Sequence, residues 1–137
     1  MNKKLVDQIR SNNQIAISKA ITSIESGNIF SKSFLDEIYK FSTSSLRIGI
    51  TGPPGAGKST LTDKLIDKFL KSNKSVGVIA VDPTSPFTGG ALLGDRVRMN
   101  NYLWNDDVFI RSLGARGELG GLSKKTQEIG DILAASG

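Results

Sequence analysis

The chain has 137 residues, a formal net charge of +5, and neither cysteine nor histidine. That composition excludes disulfides, His/Cys metal centres and any His- or Cys-based nucleophilic mechanism. With 38% apolar and 23% charged residues it reads as a globular domain, and no apolar run approaches the roughly 20 residues of a membrane span. The first residues, Met1-Asn2-Lys3-Lys4-Leu5-Val6, are broken by Asp7 and Arg10 before a secretory signal can form. Together with the lack of cysteine, this sets a cytoplasmic expectation. The basic residues are scattered, and Lys64, Lys68 and Lys71 share a helical pattern with Asp63 and Asp67. The positive charge is therefore read as a solvated face rather than a nucleic-acid surface.

In chain order, residues 1–45 read as a helical extension. Leu5, Val6 and Ile9 open an apolar stripe, Ser11-Asn12-Asn13 interrupts it, and Ile17, Ala20, Ile21 and Ile24 resume it at helical spacing. Gly27-Asn28 stops that helix, and a third follows with Phe34, Leu35 and Ile38 on one side. Ser42-Thr43-Ser44-Ser45 has no period and marks the boundary to an α/β part, 46–137. There Leu46–Ile50 reads as a short strand, and Leu61, Leu65, Ile66, Phe69 and Leu70 line one face of a helix beginning at Lys58. Val76–Val81 reads as a buried strand of a parallel sheet. Strand, helix, strand in this order makes a βαβ unit. A further helix is expected over Leu92–Trp104, a third strand at Val108–Ile110, and a last helix over Lys124–Ala135 with Ile129, Ile132 and Leu133 inward.

The chemistry concentrates in Gly52-Pro53-Pro54-Gly55-Ala56-Gly57-Lys58-Ser59, which satisfies G-x-x-x-x-G-K-[ST] at every specified position. By chance the pattern arises in about one chain in two hundred of this length. Glycines permit backbone angles that turn successive N–H groups toward phosphate oxygens, and the loop runs into a helix N-terminus whose dipole favours an anion. In that reading Lys58 reaches the β- and γ-phosphates, the Ser59 hydroxyl ligates Mg²⁺, and Thr60 lines the α-phosphate side. Asp82 ends a strand, where open α/β sheets bind ligands; it either serves the metal or the attacking water, or caps the turn before Pro83. Asp95 reads equally as a helix N-cap. Gly114–Gly121 is glycine-dense, as a switch, a partner-contact loop or a plain flexible connection would be.

Taken together, Arg47–Leu61, Val78–Thr84, Thr88-Gly89-Gly90-Ala91-Leu92-Leu93-Gly94-Asp95-Arg96-Val97-Arg98-Met99, Phe109–Ser112 and Arg116-Gly117-Glu118-Leu119-Gly120-Gly121 resemble the methylmalonyl-CoA mutase-associated GTPases, the MeaB/ArgK family. The resemblance extends over nearly the whole chain, including Lys19–Glu25 in the helical extension. It implies a P-loop NTPase fold of three layers around a parallel sheet, here incomplete and preceded by a helical arm. It also implies a GTPase using Mg²⁺ that docks on an adenosylcobalamin-dependent mutase, gating cofactor loading and protecting the enzyme, with a homodimer at full length. By that resemblance Lys58, Ser59 and Thr60 contact phosphates and metal, Lys58 and Asp82 serve catalysis, and Asp82 and Asp95 join the magnesium and switch shell. Relatives labelled as kinases or ATPases of basic amino-acid transport supply the alternative activity.

Neither D-x-x-G nor N-K-x-D occurs in the 137 residues, and Ile132–Gly137 resembles the helix that precedes the strand with the acidic Walker B residue. The chain is accordingly expected to be the N-terminal part of a longer GTPase, weak or inactive alone, with a non-catalytic nucleotide-binding module as the competing reading.

Overall fold

Two side chains set the helical register of the N-terminal region in the computed structural model, which describes residues 2–82, 100–102, 104–114 and 124–137. Asn13 precedes α2 (Gln14–Glu25) and accepts the Ala16 amide on its side chain, and Ser31 does the same for Phe34 ahead of α3 (Lys32–Ser42). Each cap satisfies an amide that the helical ladder leaves over. Before them, α1 (Asn2–Arg10) is followed by Asn12, which takes a left-handed φ of 55°. Gly27, with φ 80°, ends α2, and the Asn28 amide reaches back to the Ser23 carbonyl. The polar breaks read from sequence are therefore the helix ends.

The apolar stripes meet as anticipated. Val6, Ile9, Ile17, Ile21, Ile24, Phe34 and Ile38 are buried, and Phe30 stacks on Phe34 with ring centroids 4.4 Å apart. Burying each such Ile or Phe is worth on the order of 1.5–3 kcal/mol relative to leaving it exposed. The last helix, α5 (Lys124–Ala135), packs on this cluster, chiefly against α3 and α2, with Ile129 and Ile132 fully buried and Leu133 half-buried. Lys125 Nζ donates to the Glu25 carbonyl at 3.4 Å, near the C-terminal end of α2 where a cation is favoured. One compact unit is thus Met1–Leu46 with Leu122–Gly137, and the second is Arg47–Gly121.

Within the second unit α4 (Lys58–Lys71) precedes β1 (Val76–Asp82), and β1 pairs in parallel with β2 (Val108–Gly114), Val76 opposite Val108 and Asp82 opposite Gly114. Helix and strands match the periodic segments seen in the sequence, the second strand running longer than Val108–Ile110. A 3-10 turn at Asn100–Tyr102 leads toward β2. Asn105 shapes that approach: its side chain accepts from the Asp107 amide, and its own amide donates to the Tyr102 carbonyl at 3.0 Å.

Leu46–Ile50 departs from expectation, for it lies in no strand, and Leu46 and Ile48 are 78% and 52% exposed. A β-branched run becomes a strand only when a neighbour takes up its N–H and C=O groups. Among the described residues β1 and β2 pair with each other, and no ladder reaches residues 46–50. The described sheet has two parallel strands, an α/β arrangement. Most of the helix expected over Leu92–Trp104, the Pro83–Pro86 turn, Asp95 and the Ala115–Gly121 stretch lie outside the described residues.

Candidate functional site

Gly57 decides how the loop enters α4. It stands at the N-cap with φ 90° and makes no side-chain cap, and the first bond of the helix runs from the Leu61 amide to its carbonyl at 2.9 Å. Gly55, with φ 77°, supplies a second left-handed step, and between them the Ala56 amide closes a turn on the Pro53 carbonyl at 3.2 Å. These steps reverse the chain in four residues and aim the loop at the helix N-terminus.

A Cβ on Gly57 would meet nothing within 4 Å, so substitution there is a question of backbone conformation alone. Gly57→Ala is expected to cost about 1–2 kcal/mol of left-handed strain, read as a lower urea midpoint by circular dichroism. A midpoint unchanged from the native chain would show that the loop relaxes without that conformation.

Lys58 turns back over the loop. Its Nζ donates to the carbonyls of Gly52 at 2.7 Å and Pro53 at 2.9 Å, and its own carbonyl accepts from Thr62 Oγ1 at 2.8 Å. The ammonium is thereby held beside a helix N-terminus, where a positive dipole end and first-turn amides form a general anion site. Residues 51–57 and Thr60 are exposed, and Lys58 and Ser59 are half-buried. Gly52, Pro53, Pro54, Gly55, Ala56, Gly57, Lys58, Ser59 and Thr60 are therefore brought together. Asp82 stands at the C-terminal end of β1, where only its backbone is described, and Asp95 lies outside the described residues.

Two further residues join this helix without having been singled out for the site. Tyr102 Oη donates to the main-chain carbonyl of Asp63 at 3.2 Å, across 39 residues of sequence. Asp63 falls four residues after Ser59, hence on the same side of α4. Its Oδ1 is buried and accepts no hydrogen bond among the described residues. Burial, then the neighbouring Asp63 carboxylate, then the Asp67 charge, hold the Tyr102 phenol above its ordinary 10.0. Because the folded chain keeps this proton more tightly, the associated stability is complete below pH 10 and falls as pH rises from there through the folded pKa. Tyr102→Phe is expected to remove that alkaline loss, which denaturation curves on either side of pH 10 would detect. The i, i+4 spacing of Ser59 and Asp63 was the available signal; nothing local in the sequence pairs either with Tyr102.

Fold and loop together define an α/β protein carrying a phosphate-loop sequence at a helix N-terminus. A family profile described as methylmalonyl Co-A mutase-associated GTPase MeaB matches residues 17–137, and the chain belongs to that family. A Pyrococcus horikoshii protein named as a GTPase is 50% identical over 134 residues, covering 98% of this chain and 42% of its own length. GTPase ArgK of Escherichia coli is 37% identical over 136 residues, 96% of this chain and 41% of its own. A Caenorhabditis elegans protein, methylmalonic aciduria type A homolog, mitochondrial, is 36% identical over 141 residues, 92% and 35% respectively. The chain thus spans about 42% of the length of the first of these relatives.

Proposed function

We propose that this chain supplies the phosphate-binding part of a GTPase whose whole length binds and hydrolyses GTP. The observation that carries the reading is the Lys58 ammonium held over the Gly52 and Pro53 carbonyls at the N-terminus of α4. Phosphoryl transfer to water relies on positioning and charge stabilisation. Loop amides would hold the phosphate oxygens, and Lys58 would move from the loop carbonyls to the β- and γ-phosphates. Thr60 would stand on the α-phosphate side. Magnesium suits the donors present, since the Ser59 hydroxyl and the carboxylates of Asp82 and Asp95 are hard oxygen ligands; bound there, the ion neutralises developing charge. The three-layer P-loop sheet, completed by chain beyond the described strands, belongs to the same reading, as does the division into a helical extension, 1–45, and a GTPase part, 46–137.

The partner we infer is an adenosylcobalamin-dependent methylmalonyl-CoA mutase, which the protein would dock on, load and protect, as a cytoplasmic homodimer. The family description supports the mutase as partner, and the name of the nematode relative points to the same metabolism; the cytoplasmic site and the homodimer rest on the resemblance read from the sequence. Among the described residues no helix is long and apolar enough to cross a membrane. Equilibrium binding of Mg²⁺·GTP and Mg²⁺·ATP is the test, with Lys58→Ala as control. Saturable GTP-preferring binding lost in the control supports the reading. An ATP preference would favour the kinase or ATPase of basic amino-acid transport instead. The absence of D-x-x-G and N-K-x-D from the 137 residues favours a second reading for the chain alone, a nucleotide-binding module without turnover, which measured hydrolysis by the purified chain would rule out.

A further inference from the structure

We propose that Tyr102 is a positioning residue for the phosphate site, holding α4 so that Lys58 and Ser59 stay aligned with the loop; this rests on the phosphate-site reading above. The helix that must present these groups is thinly anchored by packing. Ile66 is its one fully buried side chain, Leu61 is half exposed, and Leu65, Phe69 and Leu70 are partly covered. A helix moves nearly as a rigid rod, so a tether one turn beyond Ser59 controls where the first turn sits. Tyr102 is such a tether: its hydroxyl reaches the Asp63 carbonyl at 3.2 Å, and its own carbonyl is fixed by the Asn105 amide at 3.0 Å. Asn105 in turn shapes the entry to β2 through the Asp107 and Val108 amides, and β2 pairs with β1. A continuous set of hydrogen bonds therefore ties the phosphate helix to the sheet through one phenol.

The experiment measures Mg²⁺·GTP and Mg²⁺·pyrophosphate binding to the native chain, Tyr102→Phe, Tyr39→Phe and Lys58→Ala, with circular dichroism confirming that each is folded. Losing one hydrogen bond is expected to weaken both ligands about 3- to 10-fold in Tyr102→Phe, equally, because α4 meets phosphates and not the base. Tyr39→Phe should bind as the native chain does. In the native chain, pyrophosphate should slow hydrogen exchange at the Asn105 amide, an arm that requires no substitution. Native affinity in Tyr102→Phe, a loss confined to GTP, or unaltered Asn105 exchange with pyrophosphate bound would each overturn the proposal. Binding that survives Lys58→Ala, or its absence from the native chain, overturns the phosphate-site reading itself and takes this proposal with it.

Discussion

Replacing Lys58 with alanine is expected to weaken Mg²⁺·GTP binding by about 10- to 100-fold while leaving the helices intact. A hydrogen bond to a charged group is worth about 1.5–3 kcal/mol, which sets that range. One loss and one offset set the balance. The ammonium that would meet the β- and γ-phosphates is gone, while the bonds to the Gly52 and Pro53 carbonyls at 2.7 and 2.9 Å, which the native lysine must give up on binding, no longer have to be broken. Lys58 contributes nothing to the buried apolar cluster, so the far-UV circular dichroism spectrum should match that of the native chain. Isothermal titration with both chains checks the ratio. A folded Lys58→Ala chain with native affinity would remove the site from Gly52–Ser59.

The largest stability change should come from Phe34→Ala. Phe34 is fully buried in the helical unit and stacks on Phe30 at 4.4 Å. Removing a buried aromatic ring costs about 3–5 kcal/mol, through lost transfer free energy and the cavity left behind. Native domains are stable by only about 5–15 kcal/mol, so this unit should be close to unfolding at room temperature. Tyr39→Ala in the same helix is the control, because Tyr39 is mostly exposed and surface changes usually stay within about 0.5 kcal/mol. Urea titration followed by circular dichroism at the helical band distinguishes them. Equal midpoints would mean that the two side chains are not segregated between core and surface.

Much of this was legible in the residues because its causes are local. Asn13 and Gly27 act on backbone groups within a few positions, so those helix ends could be read directly. The α4 boundary was equally readable, since Gly57 must take a conformation that other residues resist. What escaped depends on distant partners. Leu46–Ile50 has strand-forming side chains, yet a strand is a property of a pair, and the described sheet offers it no ladder. The apolar face of α5 was visible from its spacing, but period alone cannot say whether that face meets a sheet or, as here, α2 and α3. The Tyr102–Asp63 contact crosses 39 residues with no pattern to announce it. Asp82 and Asp95 were picked out by their places at a strand end and a candidate helix start, family resemblance alone tipped them toward the metal, and their side chains lie outside the described residues.

The helical unit draws on both ends of the sequence, with the whole of Arg47–Gly121 between its two pieces. On the ribosome, α1, α2 and α3 emerge long before α5, which is made roughly 80 residues later, or about 4–16 s at ordinary elongation rates. During that interval the face that α5 covers waits for its partner, while Arg47–Gly121 is synthesised. Closing so long a loop is slow compared with forming adjacent helices. The natural order of events is therefore that α1, α2 and α3 form early and α5 joins them only after Arg47–Gly121 has been made.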